Sequence, residues 1–584
     1  MSPQGSPMGE FRRAQHAAAP ANGSQSPPAY TAAADARTAA SLLLLRDGDQ
    51  GLEVLMLRRA ERDADARSGA AVFPGGVLDA RDREAHAFTV GLGDVAASAK
   101  LGVAAGGLDY FVAAVRETFE EVGLLLACRD DGTDIDLPAL HPWRARLQQG
   151  TASAADFCRA TGLTLDVSGL VYCSHWLTPP GSPKRFDTRF FMALAPQGQQ
   201  AVADGGEAQE LMWITPAQAL APDRGLKLLP VTQRTLQDLA RHATAASALQ
   251  AARDLKQVPL IMPRRAVGPR GPRVVLPHER AYAEVARLDP QGRGDVHADL
   301  LPGRAVRLSP HTVRITAPNP GPMTGPGTNT YLVGAGDSWT AIDPGPLSEP
   351  HLQAILAALA AVSGGLPGRL TQVLVTHTHK DHSPGAVALS AATGAPVFGR
   401  TAAHPEWQDN SFAPQRELRD GERLPLADGV TLRVIHTPGH ASNHLCYLLE
   451  EERTLFTGDH VMQGSTVVIN PPDGDMAAYL NSLTMLLDVD LAWLAPGHGF
   501  LVAEPHAVLR ALVAHRLKRE AKVVAALQAL GAAPIGALLQ RVYDDVPAAL
   551  HPMARRSLLA HLLKLQAEGG AVASGEVWRH SAGG

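Results

Sequence analysis

The sequence predicts a multidomain α/β protein, and three observations carry that expectation. At 584 residues the chain exceeds what one hydrophobic core organises, so roughly two to four domains are expected. Between about residues 305 and 505, short apolar segments alternate with helical runs such as Gly385 to Ala392, the alternation of a layered α/β architecture. After about residue 506 the texture turns helical, over Val508 to Leu530, Ile535 to Tyr543 and Met553 to Glu568, and Gly569-Gly570 leads into a candidate hairpin at Val572 to Trp578.

In chain order, residues 1–34 are rich in Ala, Pro, Ser, Gly and Gln and contain no apolar core of a signal peptide, so they read as a disordered tail. Residues 35–254 form a first mixed domain, opening with strands at Ala39 to Leu45 and Leu52 to Leu57 around the turn Asp47-Gly48-Asp49. Residues 255–304 are rich in Pro and Arg and read as a linker or a domain edge. Residues 305–505 form a second α/β domain. Residues 506–584, three helices and a β-wing, describe a small winged helix. The net charge of −5 gives the whole chain no bulk attraction for nucleic acid. Cys128, Cys158, Cys173 and Cys446 are scattered without CxxC spacing, which fits thiols in a reducing compartment and predicts a cytoplasmic protein. No run of 18 apolar residues is present, so no membrane partner is expected.

His377-Thr378-His379-Lys380-Asp381-His382 places four metal-type donors within six residues, directly after the apolar run Val373-Leu374-Val375. Imidazole nitrogen and carboxylate oxygen are zinc-type donors, and this density lets one loop serve two metals. Three further pieces follow in order: Thr437-Pro438-Gly439-His440, Thr457-Gly458-Asp459 and Pro496-Gly497-His498-Gly499. Each is a short apolar strand, a glycine-bearing turn and a potential ligand; glycine permits the tight geometry that aims a side chain off a strand end.

With these motifs, residues 305–505 resemble the metallo-β-lactamase fold, an αβ/βα sandwich. The resemblance implies that His377, His379 and His440 hold one Zn²⁺, that Asp381, His382 and His498 hold a second, and that Asp459 bridges them. Asp343 matches the family's early structural aspartate, a partner of ligands rather than a ligand. It further implies hydrolysis, since two zinc ions acidify water and polarise the group under attack. The fold alone leaves the substrate open among β-lactams, thioesters and phosphodiesters.

The first domain carries a second signal, Arg116-Glu117-Thr118-Phe119-Glu120-Glu121-Val122-Gly123. At about 100° per residue, Glu117, Glu120 and Glu121 share one helix face, and Phe111, Val115, Phe119 and Val122 form the opposite, core-facing stripe. Crowded carboxylates repel, and Mg²⁺ or Mn²⁺ would relieve them; a solvated acidic face is the plain alternative. With Phe73-Pro74-Gly75-Gly76 upstream, the string is similar to the Nudix box, implying an α/β/α sandwich. By that resemblance Glu117, Glu120 and Glu121 bind the metals that bridge a pyrophosphate, with Glu120 and Glu121 also carried as catalytic, and Arg116 orients a glutamate. The chain departs from the box in the 39 residues from Val77 to Val115 and in Asp82, which stands where a glutamate is expected. The long insertion and Arg185-Phe186-Asp187-Thr188-Arg189-Phe190-Phe191 resemble the coenzyme A diphosphatase branch, implying a CoA-like or other nucleotide pyrophosphate.

Within the metallohydrolases, Gly327-Thr328-Asn329-Thr330-Tyr331-Leu332-Val333, Pro438 to His444, Gly464-Ser465-Thr466, and His515-Arg516 with Arg519-Glu520 resemble the β-lactamase-like protein 2 family of single-strand endoribonucleases. The tail from Leu550 extends the likeness to that family's winged helix. Asp381 and His444 are the catalytic candidates here; His444 would bind a substrate phosphate or stabilise the transition state, a hydrogen-bonded structural role being the alternative. Thr328 and Asn329 are expected to organise their loop. From residue 505 onward ten Arg and Lys face five Asp and Glu, which favours a polyanionic partner such as single-stranded RNA. The competing expectations are a glyoxalase II-like thioesterase acting on acyl-CoA or acyl-carrier thioesters, motivated by the CoA-like first domain, and a nucleic-acid-binding scaffold with relic sites.

Overall fold

A computed structural model describes residues 30–60, 68–129, 131–206, 208–363 and 369–581. The tail expected at residues 1–34 lies mostly outside these described residues. The described residues divide into two compact units, one comprising 30–265 together with 291–294, the other 266–290 and 295 onward.

The first unit is built on a mixed nine-stranded sheet. Its opening hairpin pairs Ala36–Gly48 with Gly51–Arg59, so the strands run longer than their apolar cores and the turn falls at Asp49-Gln50. Strand Arg185–Leu194 runs parallel to Ala36–Gly48. Helix Gly107–Val122 lays Phe111, Val115, Phe119 and Val122 into the core with Leu42, Leu44 and Phe191. The insertion expected between Val77 and Val115 is folded: it holds a 3₁₀ helix at Ala80–Phe88 and a helix at Asp94–Leu101.

The second unit contains two sheets, seven strands from Ala305 to Glu417 and six from Arg423 to Ala503. Their facing sides supply one core, with Tyr331, Ile342 and Leu374 from the first sheet and Leu432, Tyr447 and Phe456 from the second. Helices Glu349–Val362 and Gly385–Thr393 cover the outer face of the first sheet. Helices Met476–Met485 and Pro505–Leu530 cover that of the second. The result is an αβ/βα sandwich, in which each sheet is buried on both faces and its central strands are accordingly apolar.

A winged helix follows, sharing the long helix Pro505–Leu530 and adding Ile535–Val542, His551–Ala567 and the wing Ala571–Ser574 with Val577–His580. Its core joins Val523, Leu527, Leu538, Val542, Leu558, Leu562 and Trp578. Much of the segment read as a linker is ordered. Hairpin Arg264–Gly268 with Gly271–Val275 and helix Tyr282–Leu288 lead a small core of Ala266, Val275, Ala281, Val285 and Leu300 with Phe500. Its Pro- and Arg-rich composition concealed a buried ion pair: Glu284 and Arg314, each 2 % exposed, meet in two hydrogen bonds of 2.6 and 2.8 Å.

Candidate metal centres

The donor cluster sits where strand ends of both sheets of the sandwich meet. His377 to His382 follow strand Arg369–Leu374, His440 follows Thr431–His436, Asp459 follows Thr454–Gly458, and His498 follows Trp493–Pro496. The seven predicted ligands gather into two groups, His377, His379 and His440, and Asp381, His382, Asp459 and His498, with the ligand atoms of each group within 4.8 Å of one another. In the first, His379 Nδ1 lies 2.9 Å from His377 Nε2 and 3.0 Å from His440 Nε2. In the second, His498 Nε2 lies 3.2 Å from Asp459 Oδ1 and 3.3 Å from Asp381 Oδ2. Asp459 turns Oδ1 to His382 and His498 and Oδ2 to His440, at 3.8 Å, so its carboxylate faces both groups.

Hydrogen bonds behind the rings fix their tautomers. His440 Nδ1 lies 2.8 Å from Val468 O, and His498 Nδ1 3.2 Å from Gly327 O; donation to a carbonyl leaves Nε2 as a bare lone pair. Asp343, in the left-handed region at φ 49°, accepts from Thr376 N and Thr376 Oγ1 at 2.7 Å each and lies 2.9 Å from His382 Nδ1. The Thr376 hydroxyl, its proton committed to Asp343, accepts in turn from His377 Nδ1 at 3.0 Å. One carboxylate therefore orients an imidazole in each group. Close packing requires glycine at 497: a Cβ there would lie 2.7 Å from His382 Cε1 and 2.9 Å from Asp459 Oδ1.

These residues fit cations. Burial and the neighbouring His440 hold His379 down at about 3. Burial opposes charge on His498, yet Asp459 and Asp381 carry it up to about 9. His382 Nε2, His498 Nε2 and Asp459 Oδ1 are buried without a hydrogen bond, a costly arrangement that coordination relieves. Replacing Asp343 with alanine is expected to weaken metal binding about 10–100-fold, read by chelator competition.

Thr328 and Asn329 organise the His498 loop. Asn329 Nδ2 donates to Pro496 O and Gly499 O at 3.1 and 2.8 Å, and Thr328 N and Oγ1 both bond Asn319. His444 is fully buried, stacked on His377 with ring centroids 5.1 Å apart, its Nδ1 2.9 Å from Thr437 Oγ1; it stands behind a ligand rather than at an open surface. Gln408 and Asp473, both buried beside the ligand loops, were missed, since no sequence motif marks them.

In the first unit the helix glutamates do not form a solvated face: Glu120 and Glu121 are 6 % and 5 % exposed. Arg116 is their hub, bonding Asp82 at 2.8 and 3.1 Å, Glu117 at 2.8 Å and Glu120 at 3.1 Å. Asp82, which could not be assigned from the box, is thus the arginine's other anchor. Gly75 N donates to Glu121 at 2.8 Å. With Arg116 among them, the three glutamates do not close to the 4.8 Å spacing of the histidine groups among the described residues. Burial pushes Glu120 up to about 7 against the pull of Arg116, with Glu117 adding to the rise, a conflict that a hard cation resolves. The glutamates line a cleft of about 990 Å³ with Arg37, Phe73 and Phe186. A Cβ on Gly76 would lie 2.4 Å from the Glu117 carboxylate. Gly76→Ala is therefore expected to displace Glu117 and lower turnover of the first unit's hydrolysis about 10²-fold, measured with a divalent cation in excess.

Fold and sites together define a hydrolase with two heads, each on a metal-dependent scaffold. The sequence matches the NUDT19 Nudix domain over residues 97–223, the metallo-beta-lactamase superfamily over 323–498 and the beta-lactamase associated winged helix domain over 535–578. An atrochrysone carboxyl ACP thioesterase of Aspergillus chevalieri is 33 % identical over 269 residues, 43 % of this chain and 81 % of its own. A beta-lactamase-like protein 2 homolog of Drosophila melanogaster is 32 % identical over 291 residues, 46 % of this chain and 92 % of its own. A Nudix hydrolase structure from Alicyclobacillus acidocaldarius shows 29 % identity over 38 % of this chain and 97 % of its own, at a TM-score of 0.32. The chain belongs to the metallo-β-lactamase superfamily, carrying a Nudix domain before that fold and a winged helix after it. Among the described residues, no helix is long and apolar enough to cross a membrane.

Proposed function

We propose that the second unit is a dinuclear zinc hydrolase that cuts phosphodiester bonds in single-stranded RNA, and that the first is a Mg²⁺- or Mn²⁺-dependent diphosphatase of CoA-like or nucleotide pyrophosphates. Two zinc ions supply Lewis acidity, activating water and polarising the scissile group. His377, His379 and His440 would hold one, and Asp381, His382 and His498 the other, with Asp459 shared. Asp381, the most exposed member of its group with a side chain 29 % accessible, would take the proton of the attacking water. His444 serves as a positioning residue through its stack on His377. In the first unit Glu117, Glu120 and Glu121 would hold the divalent ion, and Glu120 and Glu121 act in catalysis. The four cysteines form no disulfide, in keeping with a cytoplasmic setting.

The RNA assignment rests on how charge is spent in the winged helix. Asp545 is bonded to Arg519, Asp544 to Lys522, Glu568 to Lys564, and Glu520 to both Lys564 and His561. Four of its five acids are thus neutralised within the module, while Arg510, Lys518, Arg541, Arg555, Arg556 and Arg579 face solvent. Such a surface suits a phosphate backbone. The thioesterase reading draws on the Aspergillus relative, whose name places an acyl-carrier thioester in a related protein. A substrate panel separates them. Zinc-dependent cleavage of single-stranded RNA, lost in Asp381→Ala and kept in Glu120→Ala, is the expected result. Thiol release from acyl-CoA with the same mutant pattern would replace RNA with a thioester, and no cleavage of either would refute both.

A further inference from the structure

The second unit contains a buried hydrogen-bond chain that touches no proposed ligand yet joins the two loops that form the first donor group. Thr378 lies between His377 and His379. Its Oγ1 donates to Gln408 Oε1 at 2.7 Å and accepts from Asn443 Nδ2 at 2.8 Å. Gln408 Nε2 donates to Asp473 Oδ2 at 2.9 Å. Asp473 accepts from Ser442 N at 3.2 Å and from the Ser442 hydroxyl. Ser442 and Asn443 lie two and three residues beyond His440. A backbone bond from Asp409 N to Thr378 O, at 2.7 Å, runs beside the chain. Thr378, Gln408, Asn443 and Asp473 are 3, 4, 1 and 6 % exposed, so water does not compete for these bonds.

The rings of the second group are oriented without this chain, although Asp343 steadies both groups, His382 directly and His377 through Thr376. His382 is oriented by Asp343 and His498 by Gly327, and neither of those bonds involves Gln408 or Asp473. We infer that Gln408 and Asp473 are positioning residues that set the His379–His440 spacing and thereby govern metal retention in the first donor group alone. This rests on the reading of the cluster as a two-metal centre and adds to it a brace that serves one ion and not the other.

The polarity of the chain supplies a discriminating test. In Gln408→Glu a carboxylate faces Asp473 where an amide N–H now donates, so the bond becomes a repulsion. Adding Asp473→Asn restores it with donor and acceptor exchanged: the new glutamate still accepts from Thr378, Asn Nδ2 donates to it, and Asn Oδ1 accepts from the Ser442 hydroxyl, at the expense of the longer bond from Ser442 N to Oδ2. Zinc titration of the full chain against a chromophoric chelator would resolve the two equivalents. Gln408→Glu is expected to weaken one of them about 10–100-fold and leave the other unchanged, with Gln408→Glu/Asp473→Asn recovering most of the loss. Thr378→Val, a near-isosteric change, should give the same one-site loss, and it carries the test if Gln408→Glu does not fold. Equal weakening of both equivalents, no weakening, or a double variant no better than the single one would overturn the inference. Wild-type protein that takes up no zinc would overturn the metal reading itself, and this inference with it.

Discussion

Asp459→Ala is expected to yield a protein that no longer holds two metal ions at once and whose second unit has no measurable hydrolysis. Each of the other six donors belongs to one group, whereas Asp459 presents one oxygen to His382 and His498 and the other to His440. Its loss also removes a negative charge that, with Asp381, raises His498 to about 9 against burial. Without it, the buried imidazoles lose the carboxylate that offsets their charge when a divalent ion enters. Metal content by mass spectrometry of the native protein and turnover on the substrate panel check this together. Retention of two ions with undiminished activity would remove Asp459 from the site.

The second large effect is on stability. Glu284→Ala is expected to destabilise the second unit by about 3–5 kcal/mol, because it leaves the Arg314 guanidinium buried without its counter-charge. Glu284 also accepts from Leu501 N at 2.8 Å, so the same change strands a backbone donor beside the His498 loop. Urea unfolding that monitors this unit would measure the loss. A double change replacing both partners with apolar residues of similar volume should recover most of it, since removal of one partner costs more than removal of the pair. A Glu284→Ala midpoint equal to wild type would show that the pair carries no weight.

What the sequence made legible follows from how locally each feature is encoded. Four of the donors fall within six residues and the rest each end a strand at a glycine turn, which marks them as candidates locally, and the resemblance to the metallo-β-lactamase fold implied that they converge. The helix spans after residue 505 were legible because amphipathic periodicity is local. Asp82 was not, because its partner Arg116 is 34 residues away across an insertion that breaks the usual spacing. Gln408 and Asp473 were not, because their partners lie 30 and 65 residues off along the chain and their residue types are ordinary for loops. Residues 266–290 were read as linker or edge because Arg and Pro mark loops; a carboxylate such as Glu284, waiting for one buried arginine, has no local signature. Burial also changed the meaning of residues already noticed: Glu120 and Glu121, candidates for a wet acidic face, are enclosed, and His444 lies behind His377.

The place where the second unit begins decides how the chain can be divided. Its first layer of structure starts near Ala266, well ahead of the strand at Ala305, and that layer shares a core with Phe500. The fold of the second unit therefore extends ahead of its catalytic sandwich, and a fragment beginning at Ala305 would lack part of that core. A cut at 304 would part Glu284 from Arg314, whereas a cut near residue 265 keeps that pair in one fragment, which then also carries residues 291–294 of the first unit.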